Sequence, residues 1–140
     1  MSTKTTPDIT DYEGEDFTCV TFYPDFSRFK LKELDEDMMN LMKKRVYDIA
    51  GTTSQNIKVF LNGKQVPVSN FMEYVKMYLV SSSDDKENKL PLISYENPNN
   101  RWQVVVSLSD SQFTQISFVN TICTMKGGTH VDSIVTKVIK

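Results

Sequence analysis

Two stretches in the first half of the chain have the apolar spacing of helices. The first helix is predicted over residues 36–50, with Asp35 as its N-cap and Gly51 just beyond its end. The second is predicted to begin after Ser69, which would cap it. In both stretches the inward positions recur every three or four residues. They are Met38, Leu41, Met42, Arg45, Val46 and Ile49 in the first, and Phe71, Tyr74, Val75, Tyr78 and Leu79 in the second.

Strands are predicted where β-branched and aromatic residues cluster. Residues 17–23 form such a cluster, while residues 25–29 are typical of either a turn or a short helix. Residues 57–61 and 64–68 flank Asn62-Gly63 and predict a hairpin, because both central residues of its tight turn need positive φ. Pro67 has no backbone donor, so the second of these strands is predicted at a sheet edge.

Residues 81–89 are nine consecutive polar residues and predict a linker or a long surface loop. Beyond them we expect a three-stranded antiparallel meander with one buried face, which includes Trp102 as a core residue. A loop then leads through Gly127-Gly128 into a last helix. The strands are predicted over 90–95, 101–108 and 113–119, the turns over 96–100 and 109–112, and the helix over 131–139.

The charge balance limits the classes of function. The 140 residues carry 16 basic and 18 acidic side chains, a net charge of −2, with −6 on residues 1–37 and +4 on the rest. Such a balance argues against a chain that grips nucleic acid by itself through a strong positive field. Cys19 and Cys123 are interpreted as free thiols in a reducing compartment. No apolar run approaches a membrane span and no signal peptide is evident, so we expect a soluble intracellular protein.

No catalytic constellation is visible in the residues themselves. A single histidine, His130, argues against a zinc site and against a Ser/His/Asp triad. Gly127-Gly128-Thr129-His130 could cradle a phosphate at a helix N-terminus, but it lacks the P-loop spacing, and a structural turn is the favoured interpretation. The basic run 43–45 is interpreted as a solvated helix face, and Met38, Met39 and Met42 as core filler.

Residues 116–132, ISFVNTICTMKGGTHVD, resemble a run of the form SFVN-x-I-x-T-x-x-GG-x-H in the transducer domain of type IIA DNA topoisomerases. Further stretches resemble eukaryotic DNA topoisomerase II in the same order, so that the similarity extends from about residue 11 to 139. They are Glu15–Phe22 with Pro24-Asp25, Arg45–Gly51, Val59–Lys64, Tyr74–Leu79 and Arg101-Trp102.

This resemblance implies an α+β fold and a division of the chain into two parts. Residues 1–80 would be the C-terminal portion of a GHKL-type ATPase α/β sandwich, and 81–89 the linker. Residues 90–140 would be the first strands and helix of a transducer domain of the left-handed βαβ type. The stretch after His130 is about four or five residues shorter than in the family, a difference of roughly one helical turn.

The family controls DNA topology by double-strand passage and uses ATP and Mg²⁺. The resemblance places its ATP- and Mg²⁺-binding elements upstream of this segment, and its γ-phosphate lysine and cleavage tyrosine elsewhere. No catalytic, ATP-binding or metal-binding residue can therefore be carried over to this chain, and no cofactor is assigned to it. We expect a fragment or truncated paralogue that is inactive alone.

The same resemblance implies a nuclear location and suggests partners. The family is homodimeric, so a full-length topoisomerase II or a second copy is the expected partner; DNA binding by this chain alone would be weak, and no membrane contact is expected. Three alternatives stay open: a regulatory or dominant-negative binding module, a piece of a longer active enzyme, and a decayed duplicate that does not fold.

Overall fold

The computed structural model describes residues 5–81, 93–99, 101–108 and 112–139. The chain divides into two units, Met1–Leu34 and Asp35–Lys140. Secondary structure in the second unit mixes three helices with three small antiparallel sheets, counted over these described ranges. The predicted α+β class is confirmed. The predicted domain boundary at 81–89 falls mostly outside the described ranges and stays a prediction.

In the first unit, the strand predicted over residues 17–23 is wrong. These residues form no backbone ladder, and their side chains are exposed, with Val20 at 81% and Tyr23 at 93%. A strand needs a neighbour for its N–H and C=O groups, and no described segment pairs with this one. Residues 26–30 form a turn rather than a short helix, with the Phe29 N–H donating to the Phe26 carbonyl at 3.1 Å.

Helix α1 (Glu36–Thr52) begins as predicted, since the Asp35 side chain accepts a hydrogen bond from the Met38 N–H at 2.8 Å. Its end differs from the prediction. Gly51 lies within the helix and is buried. A Cβ added at Gly51 would lie 2.5 Å from the Cβ of Tyr74. The glycine thus allows close approach of the second helix instead of ending the first.

Helix α2 (Phe71–Ser81) packs against α1. Asn70, not Ser69, caps it: the Asn70 Oδ1 accepts from the Glu73 N–H at 2.9 Å. The Ser69 N–H and hydroxyl instead donate to the Glu73 carboxylate at 2.8 and 2.9 Å. Serine is a favoured capping residue, but here the capping bond is made by Asn70, and Ser69 lies one position before it.

The hairpin at Asn62-Gly63 is confirmed, with shorter strands than predicted. Strands β1 (Phe60–Leu61) and β2 (Lys64–Gln65) pair antiparallel, and the Val66 N–H continues the ladder to the Val59 carbonyl at 2.9 Å. Among the described residues these strands form a sheet of two, so both lie at an edge, as expected for a segment containing Pro67.

The core forms where the C-terminal half of α1, α2 and the end of the first hairpin meet. Its buried apolar residues are Ala50, Val66, Val68 and Tyr74. The inward face predicted for α2 is at least half-buried throughout. The core role expected for Met39, Met42 and Trp102 is wrong, because Met39 and Met42 are each 38% exposed and Trp102 is 42% exposed, whereas Met38 is half-buried. The core lies against the C-terminal half of α1, and most residues of the N-terminal half of this helix are exposed.

The predicted meander is also wrong in its third strand. Strand β3 (Ile93–Asn99) pairs antiparallel with β4 (Trp102–Ser107) around a bulge between Glu96 and Asn99, so residues 96–99 belong to a strand rather than a turn. Residues 90–92, residue 100, and 109–111 of the second predicted turn lie outside the described ranges. Residues 113–117 are not in a strand.

Strand β5 (Phe118–Val119) keeps only the last two residues of the predicted third strand, and it pairs in a separate small hairpin with β6 (Ile122–Cys123), where a loop was expected. Helix α3 (Thr129–Val138) follows, and begins two residues before the predicted start. The segment that carries the SFVN and GG-x-H motifs is therefore a hairpin, a turn and a helix in succession.

Candidate functional site

A carboxylate is buried on the C-terminal half of α1. Asp48 is 3% exposed, and its two oxygens accept hydrogen bonds from the Lys44 ammonium at 2.8 and 2.9 Å. The Tyr74 hydroxyl on α2 donates to the same carboxylate at 2.6 Å. A buried carboxylate costs free energy unless it is paired and hydrogen-bonded. Both conditions hold here, and Asp48 consequently joins α1 to α2.

The network continues along α2. The Tyr74 and Tyr78 hydroxyls lie 2.8 Å apart, and their rings meet edge-on with centroids 5.3 Å apart. Burial, together with the hydrogen bonds to Asp48 and Tyr78, raises the pKa of Tyr74 well above its ordinary value near 10. Partial burial acts against the charged ammonium of Lys44, but the hydrogen bond to Asp48 and the attraction of the neighbouring Tyr78 and Asp48 together outweigh it and raise the pKa of Lys44. Near neutral pH the network thus holds a protonated phenol and an ion pair.

These side chains also line a shallow cleft of about 250 Å³. Its walls are Lys44 and Tyr47 from α1 with Tyr74, Met77 and Tyr78 from α2. The polar atoms of Lys44, Tyr74 and Tyr78 are already bonded within the network. The cleft is therefore part of the helix-packing network, and we assign no ligand to it.

The second hairpin, β5–β6, is attached to both helices. The Phe118 ring meets the Tyr74 ring edge-on, with centroids 5.7 Å apart and planes at 77°. At the other end of the hairpin, the Arg45 guanidinium of α1 donates to the Thr121 carbonyl. Arg45 and Thr121 are 76 positions apart in sequence. The helix pair and the SFVN segment therefore meet at one site, which we call the junction: Arg45, Asp48, Tyr74, Phe118 and Thr121.

The two residues of the hairpin turn both have positive φ. Asn120 has φ 50° and Thr121 has φ 65°. Asparagine tolerates the left-handed region, but for a β-branched residue such as threonine it is a genuine outlier. The carbonyl that Arg45 bonds belongs to that threonine.

The Gly127-Gly128-Thr129-His130 segment has a structural role. The Gly127 N–H donates to the Thr124 carbonyl at 2.9 Å, and the His130 Nε2 lies 3.2 Å from the Thr124 Oγ1. Thr124 is bonded in turn to Ser117 on the preceding segment, with hydroxyl oxygens 2.6 Å apart. The turn between β6 and α3 is thus tied back to the hairpin, and we assign no phosphate contact to it.

The basic run 43–45 is less free than the expected solvated face. Lys44 and Arg45 both bond within the chain, to Asp48 and to the Thr121 carbonyl, while Lys43 Nζ lies at a longer 3.4 Å from the Asn40 side chain. The sequence pattern did not indicate the contact between Asp48 and Tyr74. The available signal was two i, i+4 spacings, Lys44 with Asp48 and Tyr74 with Tyr78.

Other candidate chemistry is sparse in the described ranges. They contain no group of three or more His, Cys, Asp or Glu side chains placed to hold a metal ion. Cys19 is exposed and Cys123 is half-buried, and both are free thiols, as expected. None of the helices in these ranges has the length and apolar character that would cross a membrane.

The amino-acid sequence is similar to those of DNA gyrase B and DNA topoisomerase 2. The family model for DNA gyrase B matches residues 70–140. DNA topoisomerase 2-alpha of Gallus gallus is 52% identical over 132 residues, which cover 91% of this chain and 8% of that protein. The corresponding protein of Homo sapiens is 48% identical over 94% of this chain and 8% of its own length. DNA topoisomerase 2 of Arabidopsis thaliana is 48% identical over 99% of this chain and 9% of its own.

A solved structure is similar as well. The ATPase region of Saccharomyces cerevisiae topoisomerase II matches with a TM-score of 0.69 and 49% sequence identity, covering 82% of this chain and 29% of that one. The chain thus spans less than a tenth of the length of these curated relatives and less than a third of the solved region.

Proposed function

The chain belongs to the DNA gyrase B and type II DNA topoisomerase family, and on that premise we propose that it is the segment of an ATP-dependent DNA topoisomerase in which the ATPase part meets the transducer part. The observation that carries this proposal is the meeting of two distant segments at one site. Arg45 and Tyr74 of the ATPase-like part contact Thr121 and Phe118 of the transducer-like part. Its role in double-strand passage is to connect and position, not to catalyse.

We propose further that this chain alone does not hydrolyse ATP. The residues present do not fit Mg-ATP: the buried carboxylate Asp48 is already bonded by Lys44 and Tyr74, and the described ranges hold no cluster of metal-ligating side chains. When bound, ATP and Mg²⁺ would supply a triphosphate and the cation that neutralises it. No residue described in this chain is assigned to either.

Thermal unfolding with and without Mg-ATP tests the proposal. A nucleotide that binds the folded chain at a hundred times its Kd would stabilise it by about 2.7 kcal/mol. We expect no shift of the midpoint beyond that produced by a matched concentration of inorganic triphosphate with Mg²⁺. A shift specific to Mg-ATP would contradict the proposal, because it would require a nucleotide site among these residues.

A second candidate function, a binding module that pairs with a longer topoisomerase II chain, is favoured by the exposed strand-like residues of the first unit. Phe17, Val20 and Phe22 are 69%, 81% and 68% exposed. A segment of this composition can add to a sheet edge of a partner. The partner would be a full-length topoisomerase II or a second copy, with a nuclear location and only weak DNA binding, given the net charge of −2.

Co-purification with the ATPase region of a relative would test this second function. Val20→Lys places a charge on the side of an extended segment that carries Val20 and Phe22, and is expected to abolish the complex if that side packs on the partner's sheet. Thr21→Lys adds the same charge on the opposite side, which carries Phe17 and Tyr23, and should then have the smaller effect. Equal losses in both variants would indicate a charge effect and exclude strand addition.

A further inference from the structure

The turn of the second hairpin is strained at Thr121, and the Arg45 side chain of α1 bonds to the carbonyl of this residue. Thr121 has φ 65° in a region that L-residues avoid because the Cβ approaches the following carbonyl oxygen. The penalty is enough to shift a local equilibrium by roughly tenfold. Such a conformation persists only where its surroundings over-determine it.

The surroundings of this turn are poor in apolar burial. Val119 and Ile122, the residues on either side of the turn, are 45% and 62% exposed. The hairpin is seated instead by the Phe118 ring on Tyr74 and by the half-buried Arg45 guanidinium on the Thr121 carbonyl. Because a hydrogen bond from a charged donor is stronger than a neutral one, Arg45 contributes a large share of what holds the turn.

We propose that Arg45 is a positioning residue that clamps Thr121 in its strained conformation, so that the β5–β6 hairpin is a two-position latch on the helix pair. With the clamp closed, Thr121 stays left-handed and Phe118 stays on Tyr74. With it open, Thr121 relaxes to negative φ and the hairpin leaves its seat while the helices stay packed. The latch stands on these contacts alone; its use as a relay between ATPase-like and transducer-like segments rests on the proposed function.

Residue-resolved amide hydrogen exchange on the whole chain tests the clamp. The Thr124 N–H, bonded to the Ser117 carbonyl at 2.8 Å, reports on the hairpin, and the Tyr74 N–H, bonded to the Asn70 carbonyl at 3.1 Å, reports on the helix pair. Arg45→Met keeps the aliphatic stem and removes the donor. We expect exchange at Thr124 to accelerate about ten- to a hundredfold, with little change at Tyr74.

Lys43→Met is the matched control, since it removes a neighbouring charge that is hydrogen-bonded to Asn40 on the same helix, and it should leave both amides unchanged. The clamp is refuted if Arg45→Met leaves Thr124 exchange unaltered. It is refuted equally if both amides accelerate to the same extent, because Arg45 would then support the unit as a whole.

Thr121→Gly tests the strain separately and keeps the proposal falsifiable if Arg45→Met fails to fold. Glycine adopts positive φ freely, so exchange at Thr124 should slow roughly tenfold, and the double variant should recover most of the protection lost in Arg45→Met. Unchanged or faster exchange in Thr121→Gly would overturn the strained latch. Neither result depends on nucleotide, so failure of the latch is distinguishable from failure of the proposed function.

Discussion

The hairpins that turn at Asn62-Gly63 and at Asn120-Thr121 both have positive φ at their two central residues. Their two central residues have φ of 51° and 78° in the first and 50° and 65° in the second. In the first, the second position is a glycine with open space where a side chain would lie. In the second, the same position is a threonine whose carbonyl is bonded by Arg45.

The difference shows two ways to stabilise one turn. Local chemistry is sufficient for the first hairpin, because asparagine and glycine accept positive φ at little cost. The second hairpin departs from that chemistry and depends on contacts from α1 and α2. A turn of the first kind is favoured by its own two residues, whereas a turn of the second kind depends on whether Arg45 and Tyr74 are in place.

The largest effect we predict comes from separating the two helices on which the second hairpin sits. Gly51→Ala would place a methyl group 2.5 Å from the Tyr74 Cβ and force α1 and α2 apart. We expect the free energy of unfolding to fall by about 2–3 kcal/mol, the upper part of the range for overpacking, measured by urea denaturation. Gly63→Ala, which meets no atom within 4 Å, should cost only about 1 kcal/mol. Equal costs would mean that helix spacing is not critical.

Transferring the threonine to the first hairpin gives the next largest effect. Gly63→Thr reproduces the residue type of Thr121 at φ 78° without a clamp, and should lower the free energy of unfolding by about 1–2 kcal/mol. Lys64→Thr, at an exposed strand position next to the turn, is the control and should change it little. If Gly63→Thr left the free energy of unfolding unchanged, threonine would be tolerated in such turns and the second hairpin would need no clamp.

Tyr74→Phe removes one hydroxyl from the junction and leaves the ring on Phe118. We expect a loss of about 1 kcal/mol near pH 7, measured by denaturant unfolding and compared with Tyr47→Phe. Because the folded-state pKa of Tyr74 is raised, its contribution is complete well below pH 10 and is lost as the unfolded-state phenol ionises. The difference between the wild type and Tyr74→Phe should therefore shrink as the pH rises from about 9 to about 11. A difference that is constant over this range would contradict the buried phenol.

The smallest effect concerns the ring contact alone. Phe118→Leu keeps an apolar side chain in the hairpin and removes the edge-on contact with Tyr74. We expect the free energy of unfolding to fall by about 0.5 kcal/mol, the lower end for an aromatic pair. Amide exchange should become faster at Thr124 and stay unchanged at Val66 in the first hairpin. Equal acceleration in both hairpins would erase the distinction between them.

The same contrast explains which parts of the fold can be predicted from sequence. Asn62-Gly63 is recognisable from two adjacent residues. The sequence pattern predicts only a loop at Asn120-Thr121, because the stabilising partner, Arg45, is 76 positions away and no local rule connects them. Gly51 illustrates the same limit: a glycine at a helix end usually terminates the helix, and only the position of Tyr74 shows that here it makes room.

For the candidate site, residue chemistry and family resemblance contribute different things. The resemblance of residues 116–132 to the transducer run identifies the family, and that identification is confirmed. Neither approach identifies Asp48 as buried, because aspartate is rarely buried unless it is paired and its partner Tyr74 lies on another helix. The strand predicted over 17–23 follows from propensity alone, and propensity does not supply the neighbouring strand that pairing requires.

In the part of the chain that the structure describes, the β5–β6 hairpin contacts the helix pair at the junction, and the proposed function and the latch both depend on this contact. The most direct test is a nuclear Overhauser measurement between the ring protons of Tyr74 and Phe118 in the whole chain, whose ring centroids lie 5.7 Å apart. We predict cross-peaks between the two rings that weaken in Arg45→Met. Overhauser contacts from Phe118 to its sequence neighbours alone would contradict the junction, because the hairpin would then be unattached to the helices.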